Sequence, residues 1–417
     1  MRVHFTNLGC KLNQAETERL ARQFAAAGHQ VVGSLAEADL HVVNSCTVTR
    51  LAAHDSRKAA GRARRRGLPV RTVLTGCYVS GQPEETAGAD LVVPNAEKDR
   101  LLARVHAAFP ELVPGEGPEP AIPCASLPLA GTRALVKVED GCNMRCSFCV
   151  IPFTRGAQRS RPLPEVVAEI QDFVRRGYRE VVVTGVQISA YRWGDARLAG
   201  LVRTILAKTN VARLRLTSIA PWDLDEGLLE LWDDRRLCRH LHLSLQSGST
   251  ATLRRMRRPY TAESYLGLLT RVRAAVPGVA VTTDVIVGFP GETEAELAES
   301  LATVEAAGFA KIHVFPYSAR PGTDAERLPG QVSPGEKKER MERMLDTGRR
   351  AEHEFQRAHL GKRETVLWER PRDGVGHGLT DNYLRVLCEA GASLWNRFSE
   401  VELAEITEGG ITGKIVA

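Results

Sequence analysis

Cys142, Cys146 and Cys149 stand in the run EDGCNMRCSFCVIP, separated by three residues and then by two. Three thiolates this close can wrap one corner of a cuboidal 4Fe–4S cluster, and three ligands for four irons leave one iron open. A structural zinc ion is the alternative. It needs four closed ligands, usually two spaced pairs of Cys or His. No second pair lies near this run, and His4, His29 and His41 are far away in the chain.

A second set escapes a search by spacing. Cys10, Cys46 and Cys77 are about thirty residues apart, yet each falls two or three residues after a strand-like run, in LGC, NSC and TGC. In a parallel sheet such positions share one edge, and ligand sites form just outside the carboxyl ends of the strands. A second three-thiolate cluster becomes possible there. The alternative is three unrelated buried cysteines, since free Cys is commonly buried. Cys238 and Cys388 lie next to or within strand-like runs and read as small core hydrophobes; Cys124, in a Pro- and Gly-rich stretch, reads as incidental.

Three further loops carry site-like residues: Thr184-Gly185, Gln246-Ser247-Gly248-Ser249 and Gly288-Phe289-Pro290-Gly291-Glu292. Each follows a predicted strand. Glycines there let backbone approach a ligand, and a helix N-terminus favours a carboxylate. Together they suit a polar nucleoside cofactor bound through Thr184, Gly185, Gln246, Ser247, Gly288, Gly291 and Glu292.

The elements that must position these residues divide the chain. Residues 1–111 alternate short buried strands (Val3–Asn7, Val31–Gly33, Leu40–Asn44, Val70–Thr75, Leu91–Pro94) with amphipathic stretches (Asn13–Ala27, Ser56–Gly67, Ala96–Phe109). That alternation predicts a doubly wound parallel sheet in an α/β domain. Asn13 with Glu16 reads as a helix start. Residues 112–127 are a linker, too rich in Pro and Gly for helix or core strand. Residues 128–358 repeat strand and helix six times, with strands at Ala134–Val138, Glu180–Thr184, Arg213–Ser218, Leu241–Leu245, Val279–Val287 and Lys311–Phe315, then a charged helix from Ser333 to about His359. This predicts an open, partial (βα)6 barrel whose chemistry sits at the strand C-termini. Residues 359–417 read as a small antiparallel β-barrel, with strands Glu364–Trp368, Tyr383–Cys388 and Val401–Ile406 and with Gly374, Gly376, Gly378, Gly391, Gly409, Gly410 and Gly413 supplying turns.

The whole chain bounds the setting. Its 417 residues are 43% hydrophobic and 25% charged, enough for sizeable cores, and no apolar run is long enough to span a bilayer. Nor does Met1–Leu8 read as a signal peptide. The expected compartment is the cytoplasm, where nine cysteines point to metal or catalysis rather than disulfides. A net charge of +6 permits a nucleic-acid partner without demanding one. The run Arg57, Lys58, Arg62, Arg64, Arg65, Arg66 is the best electrostatic footprint, its alternative being a solvated helix face. Residues 359–417 hold 7 Lys/Arg and 9 Asp/Glu, against the usual basic bias of an RNA-binding barrel.

The combination LGCKLN, NSCTVT, TGC, DGCNMRCSFCVIP and DVIVGFPGET resembles the radical S-adenosylmethionine methylthiotransferases. These are three-part enzymes with an N-terminal cluster domain, a radical core and a C-terminal TRAM domain. The resemblance implies that Cys142, Cys146 and Cys149 hold the radical 4Fe–4S cluster and that Cys10, Cys46 and Cys77 hold an auxiliary one. It implies that the Gln246–Ser249 and Gly288–Glu292 loops line the S-adenosylmethionine site. The implied reaction replaces an adenine C2–H by a methylthio group. A 5′-deoxyadenosyl radical abstracts the hydrogen, and a further S-adenosylmethionine supplies the methyl group. The base would be splayed from the anticodon stem-loop of a tRNA, while the electron and sulfur donors stay unnamed. Leu8 to Glu16, Met256–Arg258 followed by Tyr260-Thr261, and His313–Ser318 are similar to the threonylcarbamoyladenosine branch. The isopentenyladenosine branch usually carries Gln where Lys11 stands, and the ribosomal-protein branch Pro. Lys11, Arg257 and Arg258 are expected to meet the carboxylate of the threonylcarbamoyl group, because a buried carboxylate needs such partners. A reading of another class, a non-catalytic iron–sulfur electron carrier with an RNA-binding tail, is disfavoured because a carrier normally fills all four ligand positions.

Overall fold

The computed structural model describes residues 1–81, 87–113, 131–224, 226–371, 373–389 and 394–416. Cys124 and Gly391 lie outside these, as does most of the expected linker. The chain forms two compact units: Met1–Gly131 with Glu139–Arg159 and Ser318–Glu326, and Thr132–Val138 with Ser160–Tyr317 and Arg327–Ala417.

The first unit is built on five parallel strands: β1 (Arg2–Asn7), β2 (Gln30–Val31), β3 (Leu40–Ser45), β4 (Arg71–Gly76) and β5 (Leu91–Val93), in the order β2-β1-β3-β4-β5. Every residue of β3 is buried, as a central strand covered on both faces requires. The doubly wound order expected from the alternating pattern is therefore present, with its reversal between β1 and β3. The first helix differs from expectation. It runs Lys11–Ala26 with Cys10 at its N-cap, so Asn13 and Glu16 are not its start but inward-facing residues of its first turns, both buried. Thr49 caps the next helix, Arg50–Ala60, through Ala52 N–H (3.1 Å), and Gly61 separates it from the short turn Arg62–Arg65.

The chain then passes β6 (Arg133–Lys137) and the two-residue strands β7 (Glu139–Asp140) and β8 (Arg159–Ser160). The second unit continues with β9 (Glu180–Thr184), β10 (Arg213–Leu216), β11 (His240–His242), β12 (Ala280–Val287) and β13 (Lys311–Pro316). Two parallel three-stranded sheets, β10-β9-β6 and β11-β12-β13, are joined by the single bridges Leu214↔Leu237 and Ile219↔Leu243. The result is a partial barrel of six parallel strands around a continuous apolar core. The closing helix Pro334–Arg357 begins on a capping box: Ser333 Oγ accepts from Glu336 N–H (3.2 Å) and Glu336 Oε2 from Ser333 N–H (3.1 Å).

A closed five-stranded barrel follows, with β14 (Arg363–Trp368), β15 (Val375–Thr380), β16 (Arg385–Glu389), β17 (Phe398–Thr407) and β18 (Gly410–Ile415) in the order β14-β15-β16-β18-β17. All pairings but β16–β18 are antiparallel. The expected turn glycines Gly376, Gly378, Gly410 and Gly413 lie inside strands instead. A Cβ at Gly378 would stand 2.3 Å from Val366 Cγ1, and one at Gly413 2.4 Å from Val401 Cγ1. These glycines make room for large neighbours in a narrow barrel.

The small barrel docks on arginines of the six-stranded one. Glu180, fully buried, takes Arg215 (2.7 Å) and Arg133 (3.0 Å). Arg215 also donates to the carbonyls of Asp381 and Thr380, and Arg239 forks onto Asp381 while reaching Glu364. Arg133 adds Glu369 (2.6 Å), and His240 stacks on Tyr383 with ring centroids 4.4 Å apart. Three of the acids that make residues 359–417 net negative are therefore spent on this contact. Burial pushes the Glu180 carboxyl up, but Arg215, Arg133 and Arg213 outweigh it and hold the group down to about 2.

Candidate functional site

Cys10, Cys46 and Cys77 follow β1, β3 and β4, three neighbouring strands of the first sheet. Strands in a sheet lie about 4.8 Å apart, so the three loops open side by side along one edge. Two glycines permit the crowding. Gly9 has φ +93° and a Cβ there would sit 2.8 Å from Cys46 Sγ; Gly76 has φ +104° and its Cβ would sit 2.4 Å from the Ser45 carbonyl. Ser56 fixes the Cys46 backbone, accepting from its N–H (2.9 Å) and donating to its carbonyl (2.8 Å). Cys10 is exposed, whereas Cys46 and Cys77 are buried. Burial pushes the Cys46 thiol up to about 11; the Val48 N–H and Arg155 oppose this, and Cys77 and Cys10 add to it. The Asn95 amide lies 3.6 Å from Cys77 Sγ.

Cys142, Cys146 and Cys149 belong to the same compact unit, each partly exposed. Gly141 enters their loop at φ +76°, where a Cβ would meet the Ala157 carbonyl at 2.2 Å. Cys142 N–H donates to Gly156 O (3.1 Å), Cys149 N–H to Cys146 O (3.1 Å) and Met144 N–H to Cys142 Sγ (3.4 Å). The loop ends in the turn of helix Ile151–Arg155, whose Thr154 carbonyl accepts from Asn95 Nδ2 (2.9 Å).

A buried ionic network ties this loop to the other triad. Arg155 donates to Asp140 Oδ1 (2.8 Å), to Glu16 Oε1 (3.0 Å) and to Asn13 Oδ1. Lys98 donates to Glu16 Oε2 (2.7 Å) and Asn44 Oδ1 (3.1 Å). Asn13 in turn donates to the carbonyls of Leu8 and Ser45, the shoulders of the Cys10 and Cys46 loops. Burial opposes the charge on Arg155, but Glu16, Cys77 and Asp140 raise its pKa well above the ordinary arginine value. Sequence reasoning missed Arg155, Lys98 and Asn95. The available signal was the polar pair Asn13 and Glu16 on the inward face of an otherwise apolar helix.

Three-thiolate clusters fit both groups. Each set comes from loops that hold their backbone closely, with N–H groups on the sulfurs and cations nearby. A mononuclear ion does not fit: among the described residues no three His, Cys, Asp or Glu side chains gather as such an ion requires.

The second unit brings the other expected residues to the carboxyl ends of its strands. Thr184 ends β9, buried, its hydroxyl 3.4 Å from that of Thr217, with Gly185 after it. Gln246 stands at φ +66°. The serines beside it turn to the helix Glu294–Ala307: Ser247 Oγ lies 3.2 Å from Ser300 Oγ, and Ser249 Oγ donates to Glu299 Oε2 (2.6 Å). Glu292 accepts from Gly288 N–H (2.5 Å) and pairs with Arg340 (2.9 Å), clamping the turn before its helix. The glycines serve packing more than open approach, since Gly248 lacks a Cβ for Ser300 and Thr303, and Gly288 for Lys337. Gly291, at φ +73°, donates its N–H to Gly330 O (2.8 Å).

Of the expected substrate cations, Arg258 is committed to packing. Its guanidinium lies over Trp222 (4.6 Å) and Tyr260 (5.3 Å), and Met256 is fully buried. Lys11 and Arg257 are exposed. The basic run Arg57–Arg66 is exposed opposite the buried Ala59, Ala60 and Ala63, with Arg64 on Gly88 O (2.8 Å) and Arg65 on Lys58 O. No helix among the described residues is long and apolar enough to cross a membrane.

Residues 136–304 match the radical SAM superfamily, and residues 2–94 match uncharacterized protein family UPF0004. The fold agrees: a cobalamin- and [4Fe–4S]-bound radical S-adenosylmethionine methyltransferase, TsrM from Kitasatospora setae, superposes with a TM-score of 0.56 at 18% identity, over 76% of this chain and 74% of that one. The partial barrel is thus that of a radical S-adenosylmethionine enzyme. Threonylcarbamoyladenosine tRNA methylthiotransferase MtaB of Bacillus subtilis is 34% identical over 96% of this chain and 93% of its own. A tRNA-2-methylthio-N(6)-dimethylallyladenosine synthase of Jannaschia sp. is 33% identical over 98% and 92%. The chain belongs to the radical S-adenosylmethionine methylthiotransferases.

Proposed function

We propose that this enzyme converts threonylcarbamoyladenosine beside the anticodon of tRNA to its 2-methylthio derivative. The observation that carries the reading is near-full-length similarity to relatives named for that reaction, at 34% in Bacillus subtilis and 35% in Chlamydia pneumoniae. In this reading Cys142, Cys146 and Cys149 hold the 4Fe–4S cluster of the radical core. Cys10, Cys46 and Cys77 hold a second one. When bound, the clusters and S-adenosylmethionine supply the one-electron and sulfur chemistry that an unactivated aromatic C–H requires. The chain's own part is to bind and orient. Arg155 and Asn13 fix the two cysteine groups against each other, and Gln246 and the Gly288–Glu292 turn line the cofactor. Lys11 and Arg257 meet the threonylcarbamoyl carboxylate, which an isopentenyl group lacks. A splayed anticodon-loop base suits this arrangement, because an adenine C2–H is out of reach in a stacked duplex.

The test uses reconstituted enzyme and two tRNA pools, one bearing each modification, read by nucleoside mass spectrometry. Faster methylthiolation of the threonylcarbamoyl pool is expected. Preference for the isopentenyl pool would move the enzyme to the other branch and leave the reaction class intact.

A further inference from the structure

Arg320 has no part in the scheme above. It sits in the segment Ser318–Glu326, which folds into the first compact unit, and is only 7% exposed. One donor is accounted for: Nη2 gives its hydrogen to Thr47 Oγ1 at 2.6 Å, and Thr47 is the residue after Cys46. Its buried Nε has no hydrogen-bond partner. No carboxylate among the described residues forms an ion pair with it. Burial and the repulsion of Arg50 and Arg57 lower its pKa, against weaker attraction from Cys46 and Glu326. Arg50 itself is anchored beside it, its N–H donating to Ser318 Oγ (3.1 Å).

A buried guanidinium with an unused donor and no counter-charge is costly unless an anion comes to it. Arginine keeps its proton in any case. The anion must be small, because a polynucleotide phosphate does not reach a side chain this deeply covered. It must also come to the Cys46 loop. We propose that Arg320, with Thr47, forms the binding site for the small sulfur anion, of the hydrosulfide class, that the reaction inserts. This rests on the reading of Cys10, Cys46 and Cys77 as holders of a second cluster, whose open iron would take the sulfur while Arg320 Nε–H donates to it.

The experiment starts from a Cys142→Ala/Cys146→Ala/Cys149→Ala variant, reconstituted anaerobically so that only the second cluster remains. Its iron content tests the underlying reading separately: a chain without iron removes the second cluster, and Arg320 then has no sulfur to hold. With iron present, sodium hydrosulfide is titrated and the change in the cluster's electron paramagnetic resonance spectrum gives the midpoint. Adding Arg320→Gln should raise that midpoint by about tenfold to a hundredfold, the worth of one charge-assisted hydrogen bond. Arg320→Lys should recover part of the loss. An unchanged midpoint in Arg320→Gln overturns the proposal. So does loss of iron in both variants, which would make Arg320 a structural counter-charge, and so does inorganic phosphate competing as well as hydrosulfide, which would make the pocket a general anion site.

Discussion

Arg155 sits between two carboxylates from distant parts of the chain, and both depend on it. Removing it leaves Glu16 and Asp140 buried, with Lys98 and the half-exposed Arg159 as their remaining cations. Breaking a buried pair from one side typically costs about 3–5 kcal/mol, whereas exposed pairs contribute about 0–1 kcal/mol. Arg155→Met should therefore lower unfolding free energy by about 3–5 kcal/mol in urea, and Arg159→Met by no more than about 1 kcal/mol. Equal losses would show that the network adds nothing beyond surface pairing. The cysteines were legible because thiols are rare and their local context is repeated: a strand, a glycine or serine, then Cys. Arg155 was not, since its partner Glu16 lies 139 residues away and no local pattern announces the pairing.

Among the elements, the Glu180 cluster shows why a strand reads correctly while its contacts stay hidden. A run of valines marked β9 and alternation of Arg with Leu marked β10, but nothing in RLRL says that its two arginines face the small barrel. The same limit hid β15 and β18, whose glycines mimic turns until the bulky residues opposite them are known. The Glu180 carboxyl, at about 2 in the fold, lies below its ordinary 4.5. A group lowered on folding contributes stability that is full above the unfolded value and lost as pH falls through the folded one. The second unit should thus lose stability between about pH 4.5 and pH 2. Glu180→Gln should be less stable at neutral pH by about 3–5 kcal/mol and show a flatter decline across that window. Thermal unfolding followed from pH 5 to pH 2.5 checks both; parallel curves would mean that other carboxylates set the acid limit.

At the scale of the molecule, two three-thiolate groups predict about eight irons per chain after anaerobic reconstitution. Cys10→Ala/Cys46→Ala/Cys77→Ala should keep about half, still cleave S-adenosylmethionine and insert no sulfur. Full iron content in that variant would remove the second cluster. Replacing Arg64, Arg65 and Arg66 together with Ala should weaken tRNA binding and flatten its salt dependence, by roughly 0.7 in log–log slope for each single-strand phosphate left without its arginine. Arg64 and Arg65 already hold backbone carbonyls, so a change nearer one phosphate than three is expected. An unchanged slope would leave the run a solvated helix face. Reading along the chain gave consecutive segments, because composition and periodicity are local. It could not see that Glu139–Arg159 and Ser318–Glu326 fold with the N-terminal sheet.

That assembly from three separated stretches sets a timetable for biosynthesis. The ribosome finishes the N-terminal sheet, with Cys10, Cys46 and Cys77 along its edge, long before it makes Arg155, and some 240 residues before it makes Arg320. At ordinary elongation rates of about 5–20 residues per second the wait for Arg320 is roughly ten seconds to a minute. Throughout it the emerging chain carries a bare thiol edge and a Glu16–Lys98 pair still lacking its arginine. A nascent sheet that acquired metal in that interval would do so without the residues that later close around it. Cluster insertion is therefore best timed after release, with the finished polypeptide as its substrate.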